Sequence, residues 1–168
     1  MSLSQMIGSV EAEGLVQLGD EQHYVILGTE AMSPFLMSVV SDGDRWMFVS
    51  SDGGLTAGRR DAAHALFPYE TDDRLHETSG VSGPVTVVRL AGEDDSWRPF
   101  RPRETARVNR RIAKSVTGDT VIVEEDHPEG SLTASYVWNT SEDFGFLRTS
   151  TIANNLSLIH ISEPTRPY

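Results

Sequence analysis

Four ionisable side chains lie close together in the sequence, namely Asp72, Asp73, His76 and Glu77. Such groups could hold a metal ion, and paired carboxylates also carry out glycoside hydrolysis. Adjacent side chains of an extended chain point to opposite sides, so the two aspartates are not expected to converge on one ion. We therefore predict no metal site. A solvated turn or a sugar-contacting loop is favoured, with Asp72, Asp73 and Arg74 as candidate substrate contacts.

A glycine-rich run precedes two arginines, with Gly53, Gly54 and Gly58 leading into Arg59 and Arg60. A nucleotide-binding phosphate loop requires Gly-Lys-Ser/Thr at the start of a helix, and this run lacks it. A weaker form of the idea remains, in which backbone N–H groups and the arginines hold an anion. The alternative is a turn whose glycines supply positive φ angles. Arg59 and Arg60 are retained as candidate substrate-binding residues.

The three tryptophans could provide flat faces for a sugar ring. Trp46 and Trp138 lie within alternating strand patterns, where tryptophan is more often part of the core. Trp97 lies in a polar stretch and is retained as a candidate platform for substrate. These assignments leave both roles open for Trp97.

No catalytic residue is assigned within the chain. Residues 50–54 read Ser-Ser-Asp-Gly-Gly, which is not the Gly-x-Ser-x-Gly turn of a serine nucleophile. The five histidines show no ligand spacing, and the chain has no cysteine. The sequence thus predicts no catalytic residue, no metal site and no cofactor.

Charge is unevenly distributed along the 168 residues, whose formal net charge is −11. Residues 98–114 carry a net charge of +6, which could mark a groove for phosphate or nucleic acid. The favoured alternative is a hairpin turning at 117–120, which would place Arg110 and Arg111 beside the acidic run 124–126. We therefore predict neither nucleic acid nor a membrane surface as a partner.

Short runs of strand-forming residues recur between turn signals and predict an all-β protein. The clearest pair is 35–40 and 45–50, joined by an Asp-Gly turn. Such close spacing favours antiparallel strands in a β-sandwich, with a closed barrel as the second choice. One short helix is expected at 61–66, with Asp61 as its N-cap, and residues 53–84 are expected to form a long loop that holds any site.

The chain lacks a signal-peptide pattern and any apolar run of the ~18 to 20 residues that a membrane helix needs. We therefore expect a cytoplasmic protein. Its length suits one domain.

The last residues, 156–168, read LSLIHISEPTRPY. This string resembles a translated sequencing-adapter read-through. The resemblance implies that residues 1–155 form an incomplete N-terminal β-sandwich domain, that 156–168 are a non-native, disordered tail, and that the natural protein is longer.

A second resemblance covers residues 8–155 and rests on the runs 37–42, 46–59 and 65–73. These are similar to the start of very large bacterial proteins, and their order looks like the N-terminal β-supersandwich of inverting carbohydrate phosphorylases of the cellobiose phosphorylase type. The family implies an oligosaccharide substrate, phosphate as nucleophile, and a catalytic acid in a helical barrel beyond the sandwich. The chain itself contains no diagnostic catalytic motif of that family.

The resemblance therefore implies a non-catalytic scaffold that donates a substrate loop to a C-terminal catalytic domain of the same polypeptide, in a glycoside phosphorylase or hydrolase. Two alternatives stay open. Residues 37–43 and 46–50 resemble the strand pair of pyridoxamine-phosphate-oxidase-like split barrels, in which Arg59 and Arg60 would meet the phosphate of flavin mononucleotide. The other alternative is a plain carbohydrate-binding or interaction module.

Overall fold

The structure is a computed structural model that describes Ile7 and residues 10–92, 96–101 and 108–155. The tail 156–168, and Arg103 and Arg107 of the basic stretch 98–114, lie outside these residues. Twelve strands are present in the described part, all short except the last two. They are β1 Gly14–Leu18, β2 Glu21–Leu27, β3 Leu36–Ser38, β4 Arg45–Ser50, β5 Leu55–Arg59, β6 Ala65–Phe67, β7 Val88–Arg89, β8 Ser96–Trp97, β9 Arg110–Ser115, β10 Val121–Asp126, β11 Leu132–Ser141 and β12 Gly145–Asn154.

The strands form a larger sheet in the order β1-β2-β9-β10-β11-β12, a smaller sheet β3-β4-β5-β6, and the pair β7-β8. Every pairing is antiparallel. The prediction of an all-β, antiparallel, sandwich-like fold is confirmed. Among the described residues no helix is both long and apolar enough to cross a membrane.

The main core lies between the larger sheet and the smaller sheet. Met37, Met47 and Leu55 of the smaller sheet share one buried cluster with Val123 and Tyr136 of the larger sheet. Burying such side chains between sheet faces is the main favourable contribution to the stability of a sandwich.

The central strand β10 is buried on both faces. Its successive side chains point to opposite faces of the sheet and therefore enter different clusters. Val121 and Val123 lie in the main cluster, whereas Ile122 packs with Val25 and Ala113 in a second cluster on the other face. This two-sided burial explains the continuous apolar start of the strand.

Both predicted hairpins are confirmed. Strand β3 pairs with β4, with Met37 opposite Val49, and β9 pairs with β10, with Arg111 opposite Glu124. In the second hairpin Arg111 NH2 lies 2.8 Å from Glu124 Oε1. Burial nevertheless raises the pKa of Glu124, because loss of solvation outweighs the attraction of that guanidinium.

The neighbouring pair is more deeply buried. Glu125 is fully buried, and its Oε2 accepts hydrogen bonds from Arg110 Nε at 2.9 Å, from Arg110 NH2 at 2.7 Å and from Phe100 N at 3.0 Å. Arg110 NH1 also donates to the carbonyl oxygen of Ser51. Arg110, one of the basic residues that could have formed an open groove, thus fastens the loops at Ser51 and Phe100 to the larger sheet.

The helix prediction is wrong in extent and position. Asp61 does act as an N-cap, since its carboxylate accepts from Ala63 N at 3.0 Å, but it begins only a one-turn 3-10 helix, Ala62–His64. The chain becomes extended at Ala65, because pairing of β6 with β5 supplies the backbone hydrogen bonds there. The one described α-helix, α1, is Asp72–Glu77. Residues 53–84 thus contain more regular structure than a long loop.

Candidate functional site

The two candidate arginines at the end of β5 share one carboxylate. Arg59 donates to Asp44 Oδ1 from Nε and NH2, both at 3.1 Å, and Arg60 Nε lies 3.5 Å from Asp44 Oδ2. The hydrogen bond from Arg59 lowers the pKa of Asp44 from its ordinary value. Sequence reasoning missed Asp44, which precedes β4 in the hairpin turn. It draws the two cations to the hairpin end of the smaller sheet.

Arg59 also lines an open cleft of about 550 Å³ between the smaller sheet and the turn that joins β11 to β12. The turn residue Phe144 contributes a ring that is 79% exposed, and Leu66 of β6 is 66% exposed. Arg45 and Asp143 supply polar groups at the same cleft. A concave site of this size, with apolar faces and a few polar groups, has the ordinary composition of a small-ligand site.

A long-range hydrogen bond holds the β11–β12 turn over the smaller sheet. Arg45 NH2 donates to the carbonyl oxygen of Glu142 at 2.9 Å. The turn closes at Gly145, whose φ of 80° lies in the left-handed region that glycine adopts without steric cost. Arg45 and Gly145 thereby fix the wall of the cleft that carries Phe144.

The inner end of the cleft is formed by a cross-strand pair, Trp138 of β11 and Arg148 of β12. The Arg148 guanidinium carbon lies 4.8 Å from the centre of the Tyr136 ring, and Arg148 NH2 donates to Thr86 Oγ1 at 2.9 Å. Burial lowers the pKa of Arg148. Burial also raises the pKa of Tyr136 to about 12.

Behind this pair lies an inner cavity of about 30 Å³, lined by Tyr136, Phe100, Asp52 and the same two side chains, Trp138 and Arg148. That volume suits about one water molecule and no sugar ring. Of these two adjoining spaces, only the open cleft has room for a ligand larger than water.

The other predicted site residues do not join Arg59. Asp72, Asp73 and Arg74 form the first turn of α1, where carboxylates are favoured by the helix dipole. Hydrogen bonds lower the pKa of Asp73, and the one with the Thr71 side chain has the largest effect. Arg74 Nε lies 3.4 Å from a Glu70 carboxylate oxygen. None of the three helix residues lines the cleft, so the predicted contacts are divided between two places.

Trp97 lies in the main core, not on the surface. It is 4% exposed and meets the ring of His127 edge-on, with centroids 5.0 Å apart. The structure leaves no open face on Trp97 for a sugar ring. The core prediction for Trp138 agrees with its 6% exposure, whereas Trp46 is only half-buried and packs against Phe48 and Tyr69.

Sequence analysis also missed a serine–histidine contact. Ser50 Oγ lies 2.8 Å from His76 Nδ1, and His76 Nε2 lies 3.1 Å from Asp72 Oδ1. These residue types resemble a catalytic triad, but Ser50 is fully buried and its hydroxyl also hydrogen-bonds to Asp52. The contact fastens α1 to the turn after β4. No sequence motif links the serine and the histidine, which are 26 positions apart.

In the part of the chain that the structure describes, no group of three or more His, Cys, Asp or Glu side chains is arranged to hold a metal ion. No protein-family model matches the chain, and a search of curated proteins also gives no match. The cleft is therefore the feature from which a function can be inferred.

Proposed function

We propose that this chain is a non-catalytic β-sandwich module of a carbohydrate-active enzyme, of the glycoside phosphorylase or hydrolase type, and that its cleft contacts an oligosaccharide. The observation that carries the proposal is the cleft itself. It combines the exposed ring of Phe144 with hydrogen-bonding groups of Arg59 and Asp143 in one recess of about 550 Å³. Apolar faces with a few directed polar groups suit a sugar, whose ring has a C–H face and a rim of hydroxyls.

A glycoside phosphorylase or hydrolase needs a carboxylic acid that protonates the leaving oxygen. In this proposal that acid belongs to a C-terminal catalytic domain of the same polypeptide, in the cytoplasm. The cleft then holds a part of the substrate away from the reacting bond.

The first experiment is calorimetric titration of the purified chain with cello-oligosaccharides. We expect saturable binding that Phe144→Ala weakens by about tenfold, since losing an aromatic contact of ~1 kcal/mol or more has nearly that effect. Tyr24→Ala is the matched control, because Tyr24 is 60% exposed on β2 and does not line the cleft. Equal weakening by both variants, or no binding by the unaltered chain, would contradict the proposal.

The flavin alternative is tested in the same preparation. A flavin-binding split barrel would retain flavin mononucleotide and its yellow absorbance through gel filtration. In this structure Arg59 and Arg60 already share Asp44, so a flavin phosphate would have to compete with that carboxylate. We therefore expect no retained chromophore, and a stoichiometric one would favour the alternative.

A further inference from the structure

Three arginines line the cleft, and they differ in their polar partners. Arg59 is paired with the carboxylate of Asp44. Arg45 is half-buried and donates to the carbonyl oxygen of Glu142 on the exposed turn. Arg148 is half-buried at the inner end, and within the described residues it has no ion pair with a carboxylate.

The described direct contacts of Arg148 are with neutral groups, and the nearest charged side chains, Asp52 and Arg101, lie across the inner cavity. It lies over the ring of Tyr136, and its described hydrogen bond goes to the hydroxyl of Thr86. A guanidinium carries five N–H donors in a planar fork, and the described hydrogen bond uses one of them. Tyr136 and Thr86 line the inner cavity, whereas the Arg148 side chain lines both that cavity and the cleft. Burial of an uncompensated cation is unfavourable, and it lowers the pKa of this group.

A ligand carboxylate is the group that best meets this arrangement. Guanidinium and carboxylate are both planar and form two parallel hydrogen bonds, which are stronger than bonds between neutral groups. The acidic residues at the cleft, Glu142 and Asp143, lie on its exposed turn, where their charge is screened by solvent and salt. The attraction of Arg148 acts in the more buried part.

Building on the proposed function, we infer that the cleft selects an acidic oligosaccharide, with the carboxylate of a uronic acid residue bound by Arg148 and a neighbouring sugar ring against Phe144. Trp138 beside Arg148 closes the inner end, so the charged substituent is the deepest part of the ligand. Neutral oligosaccharides then use the aromatic contact alone.

The test compares two ligands that differ only at C6: a cello-oligosaccharide and a β-1,4-linked glucuronic acid oligomer of the same length. We expect the unaltered chain to bind the uronate at least about tenfold more tightly, in line with hydrogen bonds between charged groups. Arg148→Gln should remove this preference and leave affinity for the neutral ligand within about twofold. Arg148→Lys, which keeps the charge without the planar fork, should give an intermediate preference.

Arg89→Gln is the matched control, since Arg89 is exposed on β7 and does not line the cleft. It should leave both affinities unchanged. The circular dichroism spectrum and melting curve of each variant are recorded first. If the Arg148 variants do not fold, the salt dependence of binding to the unaltered chain tests the inference instead. Raising the salt concentration should weaken binding of the uronate and leave the affinity for the neutral oligosaccharide constant.

The outcomes separate the inference from the proposed function. Equal binding of the two ligands would overturn the inference and leave the carbohydrate proposal standing. No binding of either ligand would overturn both. Tighter binding of a sulfated cello-oligosaccharide than of the uronate would overturn the carboxylate assignment, as would a preference that persists in Arg148→Gln.

Discussion

Tyr136 shows how the interior of the sandwich changes the chemistry of one side chain. Its ring contacts Phe100 edge-on at 4.7 Å between centroids and lies under the guanidinium of Arg148. Burial disfavours the phenolate, and so the pKa of Tyr136 rises to about 12 although Arg148 opposes the change. The position links the main core to the inner end of the cleft.

This shift predicts how stability depends on alkaline pH. Between about pH 10 and pH 12 the folded chain keeps the phenolic proton and the unfolded chain loses it, so the free energy of unfolding falls as the pH rises. Each unit of pKa difference corresponds to ~1.4 kcal/mol. Urea unfolding at a series of pH values should show this loss in the unaltered chain, and Tyr136→Phe should lack that component.

An ultraviolet titration gives a second measurement. The unaltered chain should contain a tyrosine that ionises near pH 12, and this phase should be missing from Tyr136→Phe. If the two proteins lose stability in parallel over the same pH range, another group is responsible.

Among the elements, β5 shows where sequence reasoning found the right residue for the wrong reason. Gly58 lies within the strand, and a Cβ atom built on it would lie 2.5 Å from Trp46 Cζ2 and 2.7 Å from Ala65 Cα. Its requirement is therefore space between two neighbouring strands. Gly53, in contrast, has a φ of 92° and is the turn glycine that the sequence predicted.

Gly58→Ala is predicted to lower the free energy of unfolding by ~1–3 kcal/mol, the usual cost of inserting a methyl group where there is no room. The measurement is urea unfolding followed by tryptophan fluorescence, which also reports on Trp46. Ala62→Ser, which adds one heavy atom at an exposed position nearby, should change stability by less than ~0.5 kcal/mol. An equally stable Gly58→Ala would show that β6 moves aside freely.

The hairpins could be predicted because their signals are local. An Asp-Gly turn between two β-forming runs specifies β3–β4, and the turn at 117–120, with arginines opposite an acidic run, specifies β9–β10. Helix α1 could not be predicted. It is six residues long and buries only Leu75, so its apolar residues show no helical periodicity. Its attachment through Ser50 and His76 depends on the fold of the whole chain.

For the molecule as a whole, the cleft also could not be predicted from local sequence patterns. Arg59 was recognised from its own neighbourhood, but the cleft around it is completed by Phe144 and Arg148, which lie more than 80 positions away. Only packing of the larger sheet on the smaller one brings these residues together. Asp72 and its helical neighbours were selected for their chemistry and are held in another place by α1.

Because the larger and the smaller sheet share one core, we expect them to unfold together. Met47 of β4 is 1% exposed and lies in the same cluster as Val123 and Tyr136 of the larger sheet. Met47→Ala should therefore lower stability by ~2–5 kcal/mol. For a domain of this size the melting temperature falls by about 2–4 °C per kcal/mol.

Because the loss acts on both sheets, far-ultraviolet and near-ultraviolet circular dichroism should report one common transition in the variant as in the unaltered chain. Two separated transitions, with only the first displaced by Met47→Ala, would mean that the smaller sheet melts independently. The cleft between the sheets would then be lost before the larger sheet unfolds.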